Sequence, residues 1–116
     1  MGADQISEIA PEIREVLSGG GRWCATLEVS GDPSRWVQFT LGSINASYPH
    51  EEAPNDRAAT LGQCAVVEWE PRKFVAFSVE MDDARTIAKW IDRYFSEVLG
   101  CDGDYSIDAV LEDLGA

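Results

Sequence analysis

Apolar positions along the chain follow two rhythms, one of three to four residues and one of two. Ile6, Ile9, Ile13, Val16 and Leu17 recur at the longer spacing with Glu8, Glu12, Arg14 and Glu15 between them, which predicts an amphipathic helix with one apolar stripe. Ser18 and Gly19 to Gly21 end it with a cap and a flexible turn. Pro11 lacks a backbone donor and crowds the preceding turn, so the helix either begins near Ala10 or bends at the proline. The same spacing returns at Ile87, Trp90, Ile91, Tyr94 and Val98, with Asp82 or Asp83 as cap and Gly100 as stop. A last helix is expected from Ile107, Val110, Leu111 and Leu114, capped by Asp104 or Ser106 and ended by Gly115.

Between the helical segments the rhythm is two. RWCATLEVS, 22–30, sets Trp23, Ala25, Leu27 and Val29 against Cys24, Thr26 and Glu28, the pattern of a half-buried strand. Gly31 to Ser34 make a turn, and SRWVQFTL, 34–41, is the next strand. After Gly42, the run Ser43 to Tyr48 either continues that strand past a bulge or forms a third one. Residues 49–62, with Pro49 and Pro54, read as a surface loop with room for one short helical turn near Arg57 to Leu61. QCAVVEWE, 63–70, and KFVAFSVE, 73–80, flank Pro71 and Arg72, a spacing that suits an antiparallel hairpin. Together these elements predict one α+β domain over 1–116, a two-layer sandwich. Its antiparallel sheet has three to five strands, with one N-terminal and two C-terminal helices.

Such a sheet gives one face to the helices and leaves the other for water or a partner. Taking Val37, Phe39, Leu41, Val67, Trp69, Val75, Phe77 and Val79 as core places Trp36, Val66, Phe74 and Ala76 on the second face. Contiguous exposed apolar groups mark contact sites, and tryptophan is enriched as an anchor there. Two other readings of Trp36 stay open: cover by the 49–62 loop, or a register one residue off that makes it core.

Charge narrows the partner. Twenty-one Asp and Glu against nine Lys and Arg leave a formal charge of −12, which repels nucleic acid and anionic lipid and favours a basic protein surface. Beyond Arg93 there is no basic residue, and Asp104, Asp108, Glu112 and Asp113 make that end an acidic pole. It is either a solvated face or a cover for a basic channel. Cys24, Cys64 and Cys101 are odd in number and without metal-ligand spacing, which fits reduced thiols in a cytoplasm. No basic leader precedes an apolar run, and no apolar stretch approaches the roughly 20 residues of a membrane span.

Candidate chemistry is sparse. His50 is the single histidine; beside Glu51 and Glu52 it is expected to be solvent-exposed and idle, with no second nitrogen ligand for a transition metal. The glycine run follows a helix, not a strand, so it is no phosphate cradle. Asp102-Gly-Asp104 does not complete a calcium loop. The expectation is no catalytic residue, no metal and no cofactor.

The stretches ISEIAPEIREVL, WCATLEVS, WVQFTL, CAVVEWEP, KFVAFSVE and ARTIAKWIDRYFSEVLG, in that order in a small acidic chain, resemble the type III secretion chaperones and Tir-chaperone-like domains in topology and composition. That family has a helix between its third and later strands, for which only 49–62 offers room here. The resemblance implies a bacterial cytoplasmic homodimer whose apolar patches hold an extended client segment. Two functions therefore stand side by side. One is a non-catalytic chaperone-like or adaptor-like protein-binding domain, and the other is an acidic inhibitor, an immunity or anti-defence protein that blocks a basic enzyme surface.

Overall fold

The fold is that of a computed structural model, which describes residues 3–19, 23–101 and 105–113. The N-terminal apolar stripe forms helix α1, Ala3–Ser18, which runs unbroken through Pro11. The proline costs the helix one backbone bond, and burial of Ile9, Ala10, Ile13 and Val16 on the inner face offsets it. Strands β1 (Trp23–Val29), β2 (Asp32–Thr40) and β3 (Ser43–Ser47) follow as an antiparallel meander. Gly31 and Gly42 turn the corners at φ of 80° and 79°, a left-handed backbone that glycine adopts without strain. So Ser43 to Ser47 are a third strand rather than an extension of the second.

Helix α2, Asn55–Leu61, occupies the loop between β3 and the β4 (Cys64–Glu70) to β5 (Phe74–Val79) hairpin. Helix α3, Ala84–Arg93, is capped by Asp83, whose carboxylate accepts from the Thr86 N–H at 2.9 Å and the Thr86 hydroxyl at 3.0 Å. It widens into a π-turn over Tyr94–Val98. Arg93 reaches back to the carbonyls of Leu61 and Thr60 at 3.3 and 3.1 Å, supplying the cation that the end of α2 lacks.

The last segment corrects the helix expected there: Ile107–Asp113 is strand β6, paired antiparallel with β1 along its whole length. Ile107 and Leu111 pack on the core, and with Ala109 between them the period is two as readily as four. The long-range partner decides. Described strands number six, in the order β4-β5-β3-β2-β1-β6, and described helices number three, so the α+β class holds while the strand count and the second C-terminal helix do not.

Leu27, Val37, Phe39, Ile44, Val75 and Phe77 of the sheet meet Ile9, Ile13, Ile87, Ile91 and Phe95 of the helices in one fully buried layer. Each such side chain contributes on the order of 2 kcal/mol by leaving water. Phe77, Trp90 and Tyr94 form its aromatic centre, with Trp90 and Tyr94 stacked at 5.7 Å and Phe77 edge-on to both.

The sheet corrects two further expectations. The register of β4 against β5 shifts between Val66 and Glu68, so Val67 is an extra, bulged residue. Val66 and Trp69 consequently both turn inward against the core, and Val67 is 68% exposed. Val66 thus leaves the proposed partner face, and Val67 leaves the core. Leu41, also expected inside, sits in the β2–β3 turn and is 51% exposed.

Candidate functional site

The helices described above bury their apolar stripes on one side of the sheet, and the alternate residues of each strand emerge on the other. Register makes that second face a grid. One row runs Asp108, Glu28, Trp36, Ser47, Phe74, Glu70 across β6, β1, β2, β3, β5 and β4. The next runs Val110, Thr26, Gln38, Asn45, Ala76, Glu68. Glu112 stands opposite Cys24 in the row after that.

Trp36 and Phe74 are both half-buried and lie on either side of Ser47, which is buried between them. Ser47 ties the first row together: its hydroxyl accepts from the Trp36 N–H at 3.0 Å and donates to the Trp36 carbonyl at 3.3 Å. Its own carbonyl accepts from the buried Tyr94 hydroxyl at 2.8 Å, so the floor of the aromatic pair is pinned to the helical layer. Gln38 donates to the Thr26 hydroxyl at 3.3 Å in the second row. Val110 is 56% exposed at the edge of the same face.

Of the residues expected to bind a partner, Trp36, Phe74 and Ala76 share this face and Val66 does not. Of the expected acidic pole, Asp108 and Glu112 come onto it, beside Glu28. Asp113 pairs in register with Trp23, on the alternation that faces the core side, and is exposed at the sheet edge; Asp104 lies outside the described residues. Glu68 and Glu70 close the opposite side. The aromatic face and the acidic pole, separate surfaces in the sequence, are thus one; Glu68 is on the second face as its alternation predicts, and Glu28 and Glu70 join it. Their alternation with core residues was legible in the strands, but their placement beside Trp36 needs the strand order.

His50 and the three cysteines make contacts within the fold. His50 is half-buried rather than idle: its Nε2–H donates to the Val98 carbonyl at 2.8 Å, which the π-turn leaves available, and its ring stands edge-on to Tyr48 at 5.3 Å. Nδ1 faces Glu52 at 4.0 Å. Cys24 and Cys101 are buried and Cys64 is half-buried, none of them in a disulfide; burial pushes the Cys24 and Cys64 thiols up from their ordinary value. Among the described residues no group of three or more His, Cys, Asp or Glu is placed to hold a metal ion, and no helix is long and apolar enough to cross a membrane.

No protein-family model, no curated protein and no solved structure matches the chain.

Proposed function

We propose that this chain is a non-catalytic protein-binding domain, chaperone-like or adaptor-like, that takes a basic segment of a partner onto its open sheet face. One observation carries the reading. The row holding Trp36 and Phe74 ends in carboxylates on both sides, Asp108 and Glu28 at one end and Glu70 at the other. An aromatic pair framed by negative charge offers apolar anchorage to a segment whose flanking Lys or Arg residues meet the frame. The same frame repels a second copy of itself, so a basic partner suits this face better than a homodimer does.

Purification of bound proteins from the host, followed by titration of the purified partner, tests the proposal. Trp36→Ala is expected to weaken binding at least about tenfold, the scale of a buried aromatic anchor. Asp108→Lys with Glu28→Lys is expected to weaken it further and to flatten its salt dependence. Partners that bind both variants as they bind the parent, or a partner surface without basic residues, would remove the proposal.

The clustering of Asp108, Glu112 and Glu28 on one face also favours the second reading, an acidic inhibitor that covers a basic enzyme surface. There the carboxylates dominate. Asp108→Lys with Glu112→Lys would abolish inhibition while Trp36→Ala left it nearly intact, whereas an aromatic-anchored client loses affinity with Trp36→Ala as well.

A further inference from the structure

Three of the nine basic residues of this acidic chain converge at one end of the sheet. Arg35, Arg72 and Lys73 line a recess of about 390 Å³, formed where the start of β2, the β4–β5 hairpin tip and the end of β3 come together. Tyr48, Pro49 and Leu99 supply its apolar wall, and Ser34 its hydroxyl rim. We propose that this recess is a binding site for a carboxylate group carried on a small apolar body.

The cations are held in place by backbone. The Arg72 N–H donates to the His50 carbonyl at 3.0 Å, Lys73 N–H to Glu70 at 3.2 Å, and the Lys73 carbonyl accepts from the Tyr48 N–H at 3.1 Å. Arg72 does this at φ 61°, in the left-handed region where glycine is the unstrained choice. The turn there favours a residue without a side chain, and it carries a guanidinium. Arg35 is oriented by Asp32, whose carboxylate lies 3.3 Å from Nε and also accepts from the Ser34 N–H and hydroxyl.

Each cation has one carboxylate neighbour: Asp32 for Arg35, Glu51 for Arg72 and Glu70 for Lys73. All three pairs are solvent-exposed, and such pairs hold their partners weakly. Only Asp32 among these acids lines the recess, so the lining carries three positive groups against one negative. A guanidinium has five N–H donors in a planar fork that matches a carboxylate in two places. The net charge of −12 opposes a dianion more than a monoanion, which selects a carboxylate over a phosphate. The volume accommodates a ligand the size of one or two residues. A small organic acid and the C-terminus of a peptide present the same chemistry.

Amide NMR titration separates these cases. N-acetylleucine is expected to give saturable shifts at Ser34, Arg35, Arg72 and Lys73, and N-acetylleucinamide none. Arg35→Gln and Arg72→Gln are each expected to weaken binding about tenfold or more, with the rest of the spectrum unchanged; Lys73→Gln serves as a third variant should either disturb the fold. Val67→Ala, at the exposed β4 bulge outside the recess, is expected to leave the titration unaltered. A pentapeptide ending in a free leucine carboxylate that binds more tightly than N-acetylleucine assigns the site to a peptide C-terminus; equal or weaker binding assigns it to a small acid. Equal shifts with the amide, no saturable shift with either acid, or tighter binding of inorganic phosphate would overturn the proposal.

Discussion

Tyr94→Phe removes the hydrogen bond that joins the aromatic floor of the open face to the helical layer. Tyr94 is 1% exposed, stacked on Trp90 and edge-on to Phe77, and phenylalanine keeps every ring contact. What is lost is the hydroxyl that donates to the Ser47 carbonyl at 2.8 Å. A buried neutral hydrogen bond contributes about 1 kcal/mol net, and leaving its acceptor short of a partner raises the cost, so a loss of about 1–2 kcal/mol is expected. With a urea dependence of about 1.5 kcal/mol per molar, the unfolding midpoint falls by about 1 M with an unchanged slope. Fluorescence of the four tryptophans reports the transition. The second readout is local: Ser47 also accepts from the Trp36 N–H, so amide exchange at Trp36 should accelerate more than exchange in β1, which does not share that residue. A midpoint that moves by less than about 0.3 M, with Trp36 exchange unchanged, would refute the claim that Tyr94 pins the face.

Further outcomes follow from packing and ionisation. At Gly19 an added methyl would fall 1.9 Å from the Trp23 ring, so Gly19→Ala should cost about 1–3 kcal/mol in the same urea assay as the ring is displaced from the core. Val67→Lys should be near neutral, within about 0.5 kcal/mol, whereas Val66→Lys should cost about 2 kcal/mol or more because it drives an ammonium against the core; equal costs would deny the bulge. In acid, the Thr86 backbone and hydroxyl bonds hold Asp83 below its ordinary carboxylate value, and the Ser34 hydroxyl does the same for Asp32. A depressed carboxylate stabilises above its unfolded value and loses that contribution as pH falls through the folded one, so stability should decline below about pH 4, and less steeply in Asp83→Asn. In base the sign reverses. Burial raises Tyr94, and burial with the Asp92 carboxylate raises Tyr105, so their contribution is intact below about pH 10 and is lost as pH climbs above it. Tyr105→Phe should shift the alkaline midpoint in a pH-jump unfolding measurement.

The elements with long, one-sided patterns were legible from the residues alone. The strands from Trp23 to Thr40 and the 64–79 hairpin stand where their periods place them, and Asp83 caps as its position suggests; the first helix starts at Ala3 rather than near Ala10, and the helix expected through Val98 passes into a π-turn after Arg93. The failures are local ambiguities resolved by distant partners. In IDAVLED, Ile107 and Leu111 are four apart, a spacing that one helical turn and two strand steps share, and nothing within seven residues breaks the tie. Val66 and Val67 are adjacent and equally apolar, so no alternation says which of them is the bulge. Trp36 emerges on the second face, because the buried Val37 and Phe39 that follow it fix the parity of β2. The recess lined by Arg35, Arg72 and Lys73 left no local trace, since its cations are brought together by the start of β2 and a hairpin tip 37 positions further along the chain.

The strand at 107–113 changes more than the element count. As a helix it would have carried Asp108 and Glu112 out to solvent on a separate pole, with no fixed relation to Trp36. As the strand beside β1 it is locked by seven register pairs, and parity then leaves no freedom: Glu28 stands opposite both Trp36 and Asp108, so all three emerge on one side of the sheet. Asp108 and Glu112 are thereby brought to the face of the aromatic pair, and a partner bound at the pair would meet Asp108 too. Mixed carboxylate and aromatic variants should therefore be non-additive. Trp36→Ala combined with Asp108→Lys is expected to cost less in partner affinity than the sum of the two single changes, because groups that act on one bound segment share its loss. Strict additivity would mean that the two residues serve different partners, and the single face proposed for them would have to be divided.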